Sequence, residues 1–275
     1  MRVATFVDPG GARRVGEVEG DRVIELQAST MLHWLRGDGH GRRRKRWKLE
    51  EVALLAPVPD PPSVRDFYAF EGHVAAGWRR RGQPIPEQWY RAPAFYFSNP
   101  ASIHGPGEPV RRPEVTRMLD FELEVAAIIG AGGGIAGFTL MNDWSARDVQ
   151  RDEMTVLLGP AKGKDFATTL GPWLVTPDEL PFHDGLLAVE AWVEVNGVEV
   201  GRGRADAMQF TWDDLVTHAA RDTRLQPGDV LGSGTLDRGC LLELGPLPGE
   251  RWIEPGDTVT LGADGLGRLT SPVRS

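Results

Sequence analysis

The sequence predicts a mostly β fold of the α+β class: a mixed β-roll or barrel-like sheet with a few covering helices and a small N-terminal β domain. Short stretches of alternating apolar and polar residues recur along the chain, separated by turns rich in its 34 glycines and 21 prolines. The regular alternation of one helix per parallel strand is absent. With 275 residues, 41% of them hydrophobic, the chain can bury a large core as one domain or two.

The N-terminal part predicts a small antiparallel β unit. Strands are expected at residues 2–7, 14–18 and 22–26, with turn residues between them. Residues 29–53 look helical and charged, and four prolines between residues 57 and 62 mark a linker. We therefore predict a β-rich domain at residues 1–60 and a larger domain at residues 61–275.

The second part predicts many short strands and few helices. Helices are expected at residues 72–81, 147–157 and 211–220, and strands at residues 120–129, 188–195, 241–244 and 257–261. Thr211 before Asp213 and Asp214 is typical of a helix start, and Asn196-Gly197 predicts a tight turn between two strands. Glycine-rich nucleotide-binding motifs, a nucleophile elbow and internal repeats do not occur in the sequence.

Charge and cysteine content narrow the partners and the compartment. The formal net charge of −8 disfavours nucleic acid or an anionic membrane as the main partner, and no apolar run reaches the length of a membrane span. We interpret the one basic run, Arg42 to Lys48, as a solvated helix or loop answered by Glu50 and Glu51. The single cysteine, Cys240, rules out an internal disulfide, and the N-terminus lacks a long apolar signal segment, so we expect a cytoplasmic protein.

One predicted strand carries an unusual row of acids. Asp120, Glu122 and Glu124 share one face of it, because side chains two apart in a strand point the same way. That face continues as Ala126 and Ile128, so the acids run into an apolar surface. A buried, isolated carboxylate costs several kcal/mol, roughly, unless it is paired or bound to a metal. The strand alone leaves two interpretations open, a wet strand end, which is the simpler, or a cation site.

The scarce lysines mark a second segment of interest. Only four occur in the chain, and two of them, Lys162 and Lys164, lie in one glycine-rich segment. Lysine is a compact point charge with a tunable pKa, and arginine does not replace it in that role. Glycines let the backbone come close to a ligand, so this segment is a candidate ligand contact.

Three more segments carry reactive side chains. Residues 65–73 bring together an acid, a phenol and His73, although a lone histidine is more often structural than catalytic. Asp143 lies where a strand gives way to a helix, and there it can cap the helix or project into a cleft. Residues 232–235, Gly-Ser-Gly-Thr, suit either the binding of a carboxylate or a flexible turn.

Taken together, these segments resemble one enzyme family. The motifs DFYAFEGH, DFELE, MNDWSARDVQ, GPAKGKDFATT, GPWLVT and GSGT, in this order, resemble the fumarylacetoacetate hydrolase superfamily over about residues 57–262. The resemblance is closer to fumarylacetoacetate hydrolase itself than to the small acylpyruvases. It implies a hydrolase that cleaves a carbon–carbon bond in a β-diketo acid of the fumarylacetoacetate or acylpyruvate type. The alternative within the superfamily is a 2-oxo acid decarboxylase, isomerase or hydratase.

The resemblance also implies a bound metal. A divalent cation would be held by acidic side chains with a hydroxyl beside them, namely Asp66, Glu122, Glu124, Asp143 and Thr168. An all-oxygen site of this kind suits Mg²⁺, Ca²⁺ or Mn²⁺ rather than zinc, and we expect Mg²⁺. Asp120 shares the face of the strand but receives no metal contact from the family pattern.

The same resemblance assigns the catalytic groups. His73 and Glu243 would form the base that activates water, and Lys164 would be the active-site lysine. Acylpyruvase-like members place a glutamate three residues after the histidine, and here that position is Ala76, which favours the pairing of His73 with Glu243. A metal-binding structural protein without turnover is the alternative from a different class, and the base, the lysine and the glycine-rich loop together argue against it.

Substrate contacts follow from the resemblance as well. The matching positions are Tyr68, Gln150, Thr235 and one arginine. This arginine is one of residues 79–81, and the motif leaves open which; we take Arg81. Met154 stands where the family has a tyrosine, so we expect a different substrate. Tyr96 is either a further contact or part of the core. Members of the family are commonly homodimers, so we expect a homodimer. We expect the substrate to be a small diketo or oxo acid.

Overall fold

The computed structural model describes all 275 residues and contains 21 strands and five α-helices. The strands are β1 (Arg2–Val7), β2 (Arg13–Glu19), β3 (Arg22–Leu26), β4 (Arg42–Lys48), β5 (Ala53–Leu54), β6 (Val64–Phe67), β7 (Phe95–Ser98), β8 (Ile103–His104), β9 (Val110–Arg111), β10 (Leu119–Asp120), β11 (Leu123–Ile129), β12 (Ile135–Asp143), β13 (Ser145–Ala146), β14 (Thr168–Val175), β15 (Phe182–His183), β16 (Leu186–Leu187), β17 (Glu190–Val195), β18 (Val198–Arg204), β19 (Val230–Gly232), β20 (Thr258–Ala263) and β21 (Gly267–Arg274). The helices are α1 (Met31–Leu35), α2 (Glu71–Arg80), α3 (Arg147–Glu153), α4 (Trp212–Ala220) and α5 (Leu241–Leu244).

One large mixed sheet dominates the fold. Its main path runs β4-β3-β2-β1-β14-β12-β11-β19-β6-β7, with β5 paired to β1 and β8 paired to β14. The strands β18-β17-β20-β21-β9 form a second sheet. The predicted mostly β class is therefore confirmed. The two end strands of the large sheet do not pair with each other, so the sheet is not a closed barrel.

Strand β11 is buried on both of its faces, and this burial positions the acids. Leu123 and Val125 point into the main core, which they share with Val193 of the second sheet. Ala126, on the opposite face, packs in a separate small cluster with Met141 of β12. Because β11 is covered on both faces, water does not reach the carboxylates just before this strand and at its start.

The N-terminal strands extend the large sheet. Strand β1 pairs antiparallel with β14, so the first part of the chain and the rest share one sheet. The division at residue 60 remains a prediction. No helix is long and apolar enough to cross a membrane.

The helical prediction for residues 29–53 is wrong over most of that range. Only α1 is an α-helix there, and the basic run forms the edge strand β4. Arg42 pairs with Glu17 at 2.6 Å and also with Glu19. Because nearly every side chain of the run is charged, it shows no apolar alternation from which a strand could be predicted. A charged edge strand also resists pairing with another chain.

The strand predicted at residues 241–244 is wrong as well, since these residues form helix α5. A distant side chain stabilises its first turn: the Asp120 carboxylate accepts hydrogen bonds from the backbone N–H groups of Leu241 at 2.8 Å and Leu242 at 3.0 Å. A short apolar run is ambiguous between helix and strand. The cap that decides this case comes from another part of the chain.

The other predicted elements are confirmed, with one break. Helices α3 and α4 lie within the expected ranges, α2 begins one residue before its expected range, and Thr211 caps α4 through its side chain. Asn196 and Gly197 join β17 and β18. The strand expected at residues 120–129 is instead interrupted at Phe121 and Glu122, between β10 and β11.

The buried Asp120 gives a test of fold stability. Besides capping α5 it accepts a hydrogen bond from Arg147 Nε at 2.8 Å, and both side chains are buried. Replacing Asp120 by alanine is expected to lower the free energy of unfolding by about 3–5 kcal/mol, because the change leaves a buried guanidinium short of a partner. Urea unfolding measures this loss. Asp184→Asn, which removes the charge of an exposed pair with His183 and suits the φ of 48° at this position, is the control, with an expected change below about 1 kcal/mol. A loss as small for Asp120 would contradict the structural role.

Candidate active site

Four acids from separate segments meet inside the protein: Asp66, Glu122, Glu124 and Asp143. Asp66 lies on β6, Glu124 on β11 and Asp143 at the end of β12, and the sheet order β12-β11-β19-β6 makes these strands near neighbours. One oxygen from each acid lies within 4.8 Å of one oxygen from every other. None of the four residues is more than 3% exposed. The wet-end interpretation of the acidic strand is therefore wrong.

Two buried cations face this cluster. The Lys164 ammonium donates to Glu122 and to Asp143, and the Arg147 guanidinium lies 2.7 Å from Glu122 Oε1. Burial alone would lower the pKa of Lys164, but Asp143 and Glu122 raise it above its ordinary value. Burial likewise opposes the ionised form of Glu122, yet Lys164 and Arg147 hold the pKa of that carboxyl well below its usual range. Glu122 is thus charged and paired.

Of the other three acids, Asp143 shares Lys164 with Glu122, and neither Asp66 nor Glu124 has a cationic partner. Three of their buried oxygens have no hydrogen-bond donor: Asp66 Oδ1, Glu124 Oε2 and Asp143 Oδ1. Burial raises the pKa of Asp66 and of Glu124, and repulsion from neighbouring carboxylates raises both further. Buried oxygens without donors are costly unless a cation binds them. The candidate metal ligands in this cluster are all carboxylate oxygens, so these residues fit a hard divalent cation.

Gly232 leaves room for these oxygens. A Cβ atom at this position would lie 2.5 Å from Asp66 Oδ1 and 3.0 Å from Glu124 Oε2. The backbone of β19 can approach the carboxylates only because no side chain stands between them.

We expect Gly232→Ala to weaken Mg²⁺ binding by at least roughly tenfold, since the added methyl group displaces two carboxylates from their positions. Calorimetric titration with Mg²⁺ measures the change. Gly134→Ala is the matched control, because a Cβ at Gly134 meets no atom within 4 Å and its φ of −84° suits alanine. Equal affinities for the two variants would contradict the placement of the cation.

A histidine and a glutamate pair beside the acidic cluster. His73 lies on α2 and Glu243 on α5, and His73 Nδ1 is 2.8 Å from Glu243 Oε1. The other ring nitrogen, Nε2, is 3.9 Å from Glu122 Oε1. Asp237 accepts the backbone N–H of His73 at 3.0 Å, and Glu243 Oε2 accepts that of Arg238 at 2.8 Å. The structure thus brings together the two residues that the resemblance pairs, although they are far apart in the sequence.

The residues assigned to substrate lie around this pair and the cluster. The ring of Tyr68 stands edge-on to His73 at 5.4 Å, and burial and the charge of Glu122 raise the pKa of Tyr68 to about 12. Thr235 Oγ1 is 3.5 Å from Glu124 Oε1. Gln150 Oε1 accepts a hydrogen bond from Arg147 at 3.1 Å. All three side chains therefore reach residues of the site.

The side chains of Arg80, Arg81 and Thr168 contact neighbours of the site rather than the side chains of the four acids or His73. Arg80 donates to the backbone carbonyl of Leu242, which ties it to α5. Arg81 directly follows α2, and its guanidinium lies 5.1 Å from the ring centre of Trp78. Thr168 pairs with Asp143 across β12 and β14, and its hydroxyl is 3.3 Å from the hydroxyl of Ser98. The positive charge of Arg81 favours the ionised form of Tyr68 and so opposes the rise of its pKa.

Sequence reasoning missed or left open three residues of the site. Arg147 occurs in the MNDWSARDVQ motif, where its only signal is its place between Asp143 and Gln150. The Tyr96 hydroxyl donates to Asp143 Oδ2 at 2.5 Å, which decides between a site contact and plain core. Cys240 touches His73 and Glu243 without any signal in the sequence.

Comparison with known proteins gives the family. The pattern of the fumarylacetoacetate (FAA) hydrolase C-terminal domain matches residues 63–274. The chain belongs to the fumarylacetoacetate hydrolase family. Residues 1–57 match the N-terminal domain described as Rv2993c-like.

Related members of the family include both hydrolases and an isomerase. The chain is 30% identical to the fumarylacetoacetase of Arabidopsis thaliana over 80% of its own length and 68% of that protein, and 31% identical to the Bos taurus fumarylacetoacetase over 71% and 61%. It thus spans about three fifths to two thirds of these relatives. The crystal structure of the 5-carboxymethyl-2-hydroxymuconate delta-isomerase from Mycobacterium smegmatis matches with a TM-score of 0.76 and 30% identity, over 100% of this chain and 99% of that one. The protein is an enzyme of this superfamily.

Proposed function

We propose that this enzyme is a divalent-metal-dependent hydrolase that cleaves a carbon–carbon bond in a β-diketo acid of the fumarylacetoacetate or acylpyruvate type. The observation that carries the proposal is the 2.8 Å contact between His73 Nδ1 and Glu243 Oε1, directly beside the four carboxylates. A hydrolase needs a base for water, and a histidine oriented by a carboxylate is such a base.

The metal would be held by the four acids that meet in the interior, Asp66, Glu122, Glu124 and Asp143, and we propose Mg²⁺ as the ion. When bound, it supplies Lewis-acid polarisation of the substrate oxygens. Ca²⁺ and Mn²⁺ share the preference for oxygen ligands and are the alternatives.

The side chains divide the proton and charge transfers between them. Glu243 accepts a hydrogen bond from the Nδ1–H of His73, and this leaves Nε2, on the side of Glu122, free to take a proton from water. The hydroxide then attacks the substrate carbonyl, and the electron pair of the breaking carbon–carbon bond moves onto an enolate oxygen. The Lys164 ammonium, already fixed by Glu122 and Asp143, stabilises that negative charge.

Tyr68, Gln150, Thr235 and Arg81 are the proposed substrate contacts. Their side chains differ in character: Tyr68 and Thr235 offer hydroxyls beside His73 and Glu124, and Arg81 offers a positive charge suited to an acid. Met154 lies at the end of α3, where the resemblance expects a tyrosine, so the site offers one hydroxyl fewer than the family pattern. We therefore propose a substrate that differs from fumarylacetoacetate in the group facing Met154.

A 2-oxo acid decarboxylase, isomerase or hydratase is the second candidate. The 30% identity to the Mycobacterium smegmatis isomerase structure favours the isomerase among these. The experiment is a substrate panel of acylpyruvates, fumarylacetoacetate-like diketo acids and oxaloacetate, each with Mg²⁺ and with Mn²⁺. We expect cleavage of a diketo acid to two acid products. Decarboxylation of oxaloacetate or isomerisation, with no diketo acid cleaved, would reject the hydrolase.

We also propose that the enzyme works as a homodimer in the cytoplasm. Three adjoining apolar side chains, Val156, Leu157 and Leu158, are 71%, 90% and 81% exposed, which is typical of a surface that another chain covers. The single cysteine is free and buried, as suits a reducing compartment. Light scattering of the purified protein is expected to give twice the 30.2 kDa chain mass, and a monomer would contradict the dimer.

A further inference from the structure

A thiol lies against the His73–Glu243 pair, and the proposed mechanism makes no use of it. Cys240 Sγ is 3.7 Å from His73 Nδ1 and 3.5 Å from Glu243 Oε1. Cys240 is completely buried, and the side chains of His73 and Glu243 are only 8% and 9% exposed. A sulfur, a ring nitrogen and a carboxylate oxygen therefore converge on one small volume, which does not overlap the four-acid cluster.

The separations of these three atoms are close to those of ligands on a tetrahedral zinc ion. With bonds of about 2.3 Å to sulfur and about 2.0 Å to nitrogen and oxygen, tetrahedral angles place sulfur about 3.5 Å from each of the other two ligands and nitrogen about 3.3 Å from oxygen. The two sulfur distances already agree. Nδ1 and Oε1, now 2.8 Å apart, need to separate by about half an ångström.

The surroundings hold these ligands in orientation. The second carboxylate oxygen of Glu243 accepts the Arg238 N–H at 2.8 Å, which leaves Oε1 toward His73 and Cys240. The far ring nitrogen of His73 faces Glu122 at 3.9 Å. A hydrogen bond such as the one from Arg238 to Glu243 fixes a ligand side chain and raises the affinity for a metal.

We propose that Cys240, His73 and Glu243 form a second metal site, which binds Zn²⁺ and thereby stops the enzyme. A mixed sulfur, nitrogen and oxygen set selects a softer ion than the four carboxylates do, so the two sites bind different metals. On binding, the Cys240 thiol gives its proton to solvent and its sulfur bonds to zinc. His73 takes the tautomer with its proton on Nε2, so that the Nδ1 lone pair bonds to zinc, and a water takes the fourth position. The zinc would separate His73 from Glu243. Binding does not depend on the proposed hydrolase function, but the inhibition does, because it rests on His73 acting as the base.

Cobalt(II) is the probe that tests the site, because a cobalt–thiolate bond absorbs in the near ultraviolet. The protein is first saturated with Mg²⁺ and then titrated with Co²⁺. We expect the charge-transfer band in the wild type and in Glu122→Gln/Glu124→Gln, and its loss in Cys240→Ser. His183→Ala, which removes an exposed histidine 3.2 Å from Asp184, is the control and should keep the band. No band in the folded wild-type protein, or a band that survives in Cys240→Ser, overturns the proposal.

Zinc affinity and activity separate this proposal from the hydrolase function. Competition with a zinc chelator is expected to show at least roughly tenfold weaker Zn²⁺ binding in Cys240→Ser than in the wild type. The zinc concentration that halves turnover, relative to the zinc-free rate of each protein, should rise by a similar factor. If the thiolate band appears and turnover continues, the metal site stands and the role of His73 as the base is wrong. If turnover falls without the band, zinc acts elsewhere and the proposed site is wrong.

Discussion

Replacing His73 by alanine is expected to lower kcat by roughly 10²- to 10⁴-fold, the contribution typical of a general base, and to leave Mg²⁺ binding nearly unchanged. Turnover and Mg²⁺ binding should respond differently, because His73 lies no closer than 3.9 Å to a carboxylate oxygen of the acidic cluster. Its Nδ1 instead forms a hydrogen bond with Glu243. Steady-state turnover of the cleaved diketo acid and calorimetric titration with Mg²⁺ measure the two quantities on the same preparation.

The controls for this variant address folding and the second candidate function. His104→Ala removes another partly buried histidine, one that faces Glu108 outside the site, and is expected to keep kcat. Thermal unfolding checks that the loss of the buried ring at His73 leaves the protein folded. A loss of Mg²⁺ binding equal to the loss of turnover would sink the assigned role. Retained cleavage of the diketo acid would contradict the role of His73 as the base. Retained decarboxylation of oxaloacetate would instead favour the second candidate, whose cleavage step needs no activated water.

The double change Glu122→Gln/Glu124→Gln is expected to abolish Mg²⁺ binding. It removes two of the four negative charges whose oxygens lie within 4.8 Å of one another, and an amide is a weaker ligand for a hard cation than a carboxylate. In the wild type, Mg²⁺ at 100 times its Kd should stabilise the fold by about 2.7 kcal/mol. The double variant should show neither the calorimetric heat nor this shift in thermal midpoint.

Two further variants make that result specific. Glu194→Gln/Glu199→Gln removes two acids that pair with Arg268 and Arg202 on the second sheet, and it should leave the Mg²⁺ response intact. Glu124→Gln alone should be no less stable than the wild type in chelator, since burial and repulsion already disfavour the charge of Glu124. An unchanged Mg²⁺ titration of the double variant would refute the ligand assignment.

The second metal site adds a consequence for handling the enzyme. The same His73 and Glu243 that would activate water also point at the Cys240 sulfur, so activity should depend on which divalent ions are present. The number of Mg²⁺ and Zn²⁺ ions bound per chain should therefore be measured on each sample of the enzyme whose kinetics are studied.

Local patterning alone predicted much of the fold and part of the site. Strong alternation and turn residues predicted the mostly β class, and capping residues predicted α4 at Thr211. Alternation also predicted that Glu122 and Glu124 point away from the face that carries Leu123 and Val125. In the structure the two glutamates join the acidic cluster, and Leu123 and Val125 lie in the main core. These features could be predicted because each depends on residues within a few positions of one another.

Only the tertiary structure decided how the buried charges are paired. Asp120 lies beyond the break before β11 and binds Arg147 and the first turn of α5, so it leaves the cluster that its face suggested. The same contact makes residues 241–244 a helix, and that helix brings Glu243 and Cys240 to His73. A buried charge is stabilised by whichever opposite charge or donor the fold brings near it, and for these groups the partners lie far away in the sequence. Periodicity shows which face is buried, but the identity of the distant partner depends on long-range packing.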